Sequence, residues 1–121
     1  ISLYNSHYSN LTNNIARRNK GGIGLSYSSS NTLINNTANW NEVGIYSWPD
    51  SNNTLTNNIA NENWWGMQIS DSINTLINNT VCNSTGNYDI NCNVAQSDGG
   101  GNTCNSTRVE SSCNVSCSKS C

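Results

Sequence analysis

The sequence predicts an all-β solenoid, a chain wound into stacked coils of short parallel strands. Three observations carry this reading. One phrase recurs four times: Asn10-Leu-Thr-Asn-Asn-Ile-Ala, Thr32-Leu-Ile-Asn-Asn-Thr-Ala, Thr54-Leu-Thr-Asn-Asn-Ile-Ala and Thr75-Leu-Ile-Asn-Asn-Thr-Val. Its Leu falls at 11, 33, 55 and 76, and a fixed period of 21–22 residues marks a repeat architecture. Apolar residues also alternate with period two, as in short strands with one buried face. Finally, large aliphatic residues are too few to fill a compact globule of 121 residues, while Asn makes up about one residue in five. Such a composition alone would suggest disorder. The few apolar residues recur in phase, however, and a solenoid needs only a thin core.

Each unit opens at a Gly: Gly22, Gly44, Gly66 and Gly86. An alternating pair follows, Ile1/Leu3, Ile23/Leu25, Ile45/Ser47 and Met67/Ile69, which predicts a first short strand. Ser, Asp and Asn then favour a turn. The Leu column predicts a second strand, with Thr12, Ile34, Thr56 and Ile77 turned the other way. An Asn pair ends it at 13–14, 35–36, 57–58 and 78–79, because Asn tolerates the left-handed backbone of a tight bend. Ala16, Ala38, Ala60 and Val81 form a small apolar column for a third strand. Asn19, Asn41 and Asn63 close the coil. No segment is long enough for a stable helix. Stacking places like residues about 4.8 Å apart, so successive Asn amides can bond in ladders and satisfy one another when buried. The predicted core is Ile23, Leu25, Leu33, Ala38, Ile45, Leu55, Ala60, Met67, Ile69, Leu76 and Val81.

Gly22-Ile23-x-Leu25, Asn31-Thr-Leu-x-Asn-Asn36 and their copies from Gly44 and Gly66 resemble the right-handed parallel β-helix repeat family. The likeness is to its Asn-rich version, found in archaeal cell-surface proteins and in the copper-associated β-helix proteins of nitrous oxide reductase maturation. The tail from Gly86 to Cys104 is similar to the closing segment of the archaeal surface group. The resemblance implies a right-handed parallel β-helix of about four to five coils over residues 1–92, followed by a disulfide-rich C-terminal cap over 93–121. It implies no particular activity, since the fold serves lyases, hydrolases, adhesins and structural coils alike.

Both ends depart from the repeat. Ile1 and Leu3 align with Ile23 and Leu25, so the chain starts inside a coil and lacks an initiator Met. It reads as a processed product or fragment, or as a coil whose open end docks on another subunit and builds a filament. Beyond Cys92 the period is lost and Gly99-Gly-Gly breaks the chain. Cys82, Cys92, Cys104, Cys113, Cys117 and Cys121 form an even cluster without His partners, which favours disulfides and an extracellular setting. Six Cys allow 15 pairings. Cys117 and Cys121 are also candidates for a bridge to a neighbouring subunit.

With a net charge of −2 and no basic patch, nucleic acid is not an expected partner. No apolar run is long enough to span a membrane. Asp50 and Asp71 align about 5 Å apart on adjacent coils, the separation of a retaining glycosidase. Both lie at turns where Asp is common anyway, and no cation stacks beside them. For copper, the available donors are His7 and Met67, and Met67 falls in the core column. No metal, cofactor or catalytic site is therefore expected. The aromatics stand out. Trp40, Trp64 and Trp65 fall at the corner before the Gly, with Tyr46 and Trp48 just past it. Grouped exposed aromatics mark an interface or a sugar-stacking platform, unless they only pack on one another. Sequons begin at Asn10, Asn35, Asn52, Asn78, Asn83, Asn105 and Asn114. Asn35 and Asn78 lie in the bend column, where burial would make them poor acceptors; Asn10, Asn52, Asn83, Asn105 and Asn114 are the better candidates. The resulting expectation is a non-enzymatic cell-surface or filament-forming protein that partners itself. The alternatives are a module binding cell-surface glycans and a glycan-active enzyme using Asp50 and Asp71.

Overall fold

The computed structural model describes residues 1–49, 52–105 and 108–121. The chain is a parallel β-helix with three faces. The first face stacks β1 (Ser2–Tyr4), β4 (Gly21–Ser26), β7 (Val43–Ser47), β9 (Trp65–Ile69) and β12 (Ile90–Cys92). The second stacks β2 (Asn10–Thr12), β5 (Thr32–Ile34), β8 (Thr54–Thr56), β10 (Thr75–Ile77) and β13 (Ser97–Asp98). The third pairs β3 (Ile15–Arg17) with β6 (Thr37–Asn39), continues through single bridges at Ile59, and ends with β11 (Thr80–Val81) beside β14 (Thr103–Cys104). Leu11, Leu33, Leu55 and Leu76 pair in parallel register, each with its own copy one coil away.

The strands are short because each contributes little to the interior. In β2 and β3 only the central residue is buried. All eleven core residues expected from the sequence are fully buried. Leu11, Ala16, Ile90, Cys92, Cys104, Cys113 and Val115 extend the same core.

The corners hold the coils together. In each Asn pair, the first residue takes the left-handed conformation (φ 58° at Asn13, 55° at Asn35, 55° at Asn57, 51° at Asn78). The second turns inward. The Asn58 Oδ1 accepts the Asn36 backbone N–H at 3.0 Å and the Asn36 amide at 3.0 Å. Its Nδ2 donates to the Leu33 carbonyl at 2.9 Å and to Asn79 Oδ1 at 3.1 Å. The same pattern runs from Asn14 through Asn36, Asn58 and Asn79 to Asn102. Asn19, Asn41 and Asn63 form a second ladder. A third, which sequence reading assigned only to turns, joins Asn31, Asn53, Asn74 and Gln96. Each amide oxygen therefore serves a backbone N–H that no strand partner reaches.

Gly44 is required by close approach. A Cβ there would lie 2.5 Å from the Gly66 carbonyl oxygen and 2.5 Å from Asn63 Nδ2. Gly86 does not continue this column. Asp89 stands over Gly66, because the Met67 N–H donates to the Asp89 carbonyl, while Gly86 pairs with Trp64. The corner has widened there around the buried Asp89 carboxylate and its ion-pair partner Arg108.

The tail is also wound as coil, although its sequence has lost the period. Ile90 bridges Val109 and Thr103 bridges Lys119, so residues after β14 lay a partial further turn over the core. Cys92–Cys113, Cys104–Cys117 and Cys82–Cys121 tie this turn down. Cys117 and Cys121 are thus paired within the chain rather than with a neighbour. Asp98 takes the place of a fifth Leu, in register with Leu76. Burial works against its ionisation, but the N–H groups of Ser116 and Gly100, the Ser116 side chain and the Asn102 amide hold its carboxyl below the ordinary value.

Candidate functional site

The repeat consumes the inward residues, so chemistry must come from the outward ones. The outer side of the first face carries a trough of about 580 Å³, lined by Lys20, Gly21, Glu42, Val43, Tyr46, Trp48, Gln68 and Ser70. Its origin is local. β4 presents Gly21 and Gly24 outward, and the Tyr46 ring from β7 lies down over both, since a methyl at Gly24 would fall within that ring. Trp48 stands at the far end, 54% exposed. Its indole N–H donates to Asp71 Oδ2, and Asn93 Nδ2 donates to Asp71 Oδ1 at 2.5 Å. The Asn93 side-chain oxygen accepts the Asp71 N–H at 2.7 Å. Lys20 and Glu42 sit together at the near end. The one ion pair among the described residues lies elsewhere, so neither has a salt bridge to a described residue.

The structure separates the expected aromatic cluster. Trp40 stands in the corner column of Arg18 and Glu62, and the buried Asn41–Asn63 column divides it from Trp64. Trp40 is bound locally, with its indole N–H on Glu62 Oε2 at 2.7 Å and the Arg17 guanidinium 5.5 Å from its ring. Trp65 stacks on Tyr88 at 6.4 Å. Only Tyr46 and Trp48 meet in the trough. Asp50 lies outside the described residues. Asp71 is occupied in bracing Trp48, with Asn93 on its other carboxylate oxygen. All seven sequon Asn residues are exposed, Asn35 and Asn78 included; the buried partners are Asn36 and Asn79.

An ion pair near the tail, its carboxylate buried and its guanidinium 31% exposed, escaped the sequence reading. Asp89 is 1% exposed and lies 3.5 Å from Arg108 Nε. Asp89 accepts the backbone N–H groups of Ser84 at 3.2 Å and Asn105 at 3.1 Å. Arg108 donates to the carbonyls of Ser84 and Gly86. Where the Asn19–Asn41–Asn63 ladder runs out, this carboxylate receives the next coil's N–H, and Arg108 balances its charge. The only sequence signal was the longer spacing from Gly66 to Asp89.

A family model described as "NosD: Periplasmic copper-binding protein (NosD)" matches residues 1–115. The chain belongs to the NosD family. No curated protein and no solved structure matched it. Copper requires converging imidazole or sulfur donors. In this NosD-family chain no three His, Cys, Asp or Glu side chains converge among the described residues. All six Cys are in disulfides. Met67 is fully buried, and His7 Nδ1 accepts the Ser29 N–H at 3.0 Å. This donor set does not fit a copper centre. No helix among the described residues is long and apolar enough to cross a membrane.

Proposed function

We propose that this NosD-family chain is a non-enzymatic, extracytoplasmic structural β-helix that associates with copies of itself through its trough face. The supporting observation is the division between columns. Inward residues are engaged in stacking and laddering, while the outward side of the first face carries a largely apolar trough with Lys20 at one end beside Glu42. Two troughs related by a two-fold axis would set Lys20 of each copy against Glu42 of the other, a self-complementary arrangement. The small net charge of −2 offers little repulsion to such an approach. Three disulfides and the family's periplasmic description support an oxidising compartment. Sedimentation velocity over two decades of concentration tests the reading. Mass should rise with concentration and Trp48→Ala should abolish the rise; a monomer throughout refutes self-association.

A second reading, a carbohydrate-binding module, is favoured by the same trough. Tyr46 and Trp48 offer stacking faces beside the Gln68 amide and the Ser70 hydroxyl. Titration with neutral oligosaccharides, followed by tryptophan fluorescence, separates the two readings. Quenching that Trp48→Ala removes, in a protein that stays monomeric, would favour sugar.

A further inference from the structure

Two sets of Asn in this chain, the buried ones and those that begin a sequon, never overlap. Nine buried Asn residues (Asn31, Asn36, Asn41, Asn53, Asn58, Asn63, Asn74, Asn79 and Asn102) lie in the interior, and none of them begins a sequon. The seven Asn residues that do begin one are all exposed. Five of these, Asn35, Asn52, Asn78, Asn83 and Asn114, adopt the left-handed corner conformation that swings the side chain outward. The side-chain amides of Asn35, Asn52 and Asn78 make no hydrogen bond to any described residue, while their backbone N–H groups are paired with the next coil. The repeat explains why. At these corners an exposed Asn precedes a ladder Asn, and the next residue is Thr37, Thr54 or Thr80, which opens the following strand half-exposed. Asn-Asn-Thr thus makes an acceptor of the outward Asn and protects the inward one.

Asn35 and Asn78 share one corner column, between the second and third faces. The other members, Asn13 before Asn35 and Asn57 between Asn35 and Asn78, are followed two residues on by Ile15 and Ile59 and form no sequon. Acceptors therefore recur on alternate coils, about 10 Å apart, which leaves lateral room for a sugar on each. This ridge lies away from the first face, so sugars there would leave the trough uncovered.

We propose that Asn35 and Asn78, with Asn52 on the adjoining corner, carry N-linked glycans in the folded protein. The co-reactant is an oligosaccharide activated as the phosphate ester of a polyprenol. The side-chain nitrogen forms a bond to the sugar's anomeric carbon. The bond from that carbon to the phosphate oxygen breaks, the phosphate leaves with the electron pair, and one amide proton is lost to base. The inference rests on the extracytoplasmic reading above.

The test is peptide mass mapping of the full chain purified from its native cells, with thiols alkylated before and after reduction. The expected result is saccharide mass on the peptides containing Asn35, Asn52 and Asn78, lost singly in Asn35→Gln and Asn78→Gln variants that still melt cooperatively after the small strain of Gln at a positive φ. Unmodified masses at all three sites overturn the inference. The thiol state then shows what else falls: oxidised cysteines leave the extracytoplasmic reading standing, whereas free thiols overturn it as well.

Discussion

Asn58→Ala isolates what the amide ladder contributes. Asn58 is fully buried, and its side chain makes four hydrogen bonds, at 3.0, 3.0, 2.9 and 3.1 Å. Truncation does not affect them equally. The Asn36 amide keeps its bond to the Leu11 carbonyl, and Asn79 Oδ1 keeps the backbone N–H of residue 58. The Asn36 backbone N–H loses its acceptor in a buried site, and the Leu33 carbonyl loses the amide. An orphaned buried backbone donor costs about 1–3 kcal/mol, and each net hydrogen bond lost adds about 1 kcal/mol. With the small cavity left behind, the expected loss is about 3–5 kcal/mol. Asn57→Ala is the control. Asn57 is exposed in the left-handed conformation, so replacing it costs about 1 kcal/mol of backbone strain. Urea unfolding with disulfides intact, followed by tryptophan fluorescence, measures both. The Asn58→Ala midpoint should fall much further at unchanged slope. Equal losses in the two variants would refute the ladder as the source of corner stability.

Gly44→Ala should be severely destabilising, because its methyl meets the Gly66 carbonyl and Asn63, whereas Gly24→Ala meets only a side chain, the half-buried Tyr46 ring, and should displace it at lower cost; urea midpoints together with tyrosine fluorescence separate the two. Replacing Cys82 and Cys121 with Ala opens a loop of 39 residues and should cost about 4 kcal/mol by chain entropy, against about 3 kcal/mol for the shorter Cys104–Cys117 link; equal urea midpoints in the two double variants would contradict this. Asp98 has a depressed carboxyl pKa, so its contribution is complete above the unfolded value of about 4 and is lost as pH falls through the lower folded value. Asp98→Asn should therefore flatten the acid limb of a plot of stability against pH, and an unchanged limb would show that other carboxylates dominate it.

The fold was legible because stacking makes every coil repeat the same requirement. Leu11, Leu33, Leu55 and Leu76 announce one column, and the Asn pairs announce the bend beside it. What the sequence obscured lies where one residue type serves two purposes. Asn35 and Asn36 look alike in sequence, yet one is exposed at positive φ and the other is buried. Asn53 and Asn74 were hidden as turn residues because their neighbours vary. The aromatic grouping failed for a geometric reason: Trp40 and Trp64 are near in the repeat count, but the inward Asn41–Asn63 column comes between them. The tail lost its period in residue type and kept it in space, since Cys, Asp98 and Val115 replace Leu and Ile without altering the path of the chain. The Asp89–Arg108 pair had no repeat to mark it.

A thin core makes this β-helix depend on its polar corners more than on its apolar columns. A three-residue strand such as β5 buries one side chain, and stacking it on its copies gives modest hydrophobic stabilisation per coil. Yet each coil must also turn three times, and every turn leaves backbone N–H groups without strand partners. An inward amide answers this demand, because its oxygen accepts while its nitrogen donates and it adds no charge. Asp performs the same service only with a cation beside it, as Asp89 does with Arg108, or where extra N–H donors gather around it, as at Asp98. An excess of Asn that looks like disorder in the composition is therefore the form in which this architecture stores its hydrogen bonds. Selection on the inward amides is then selection for the stack, whereas the outward Asn, Trp and Tyr residues remain available for recognition and modification.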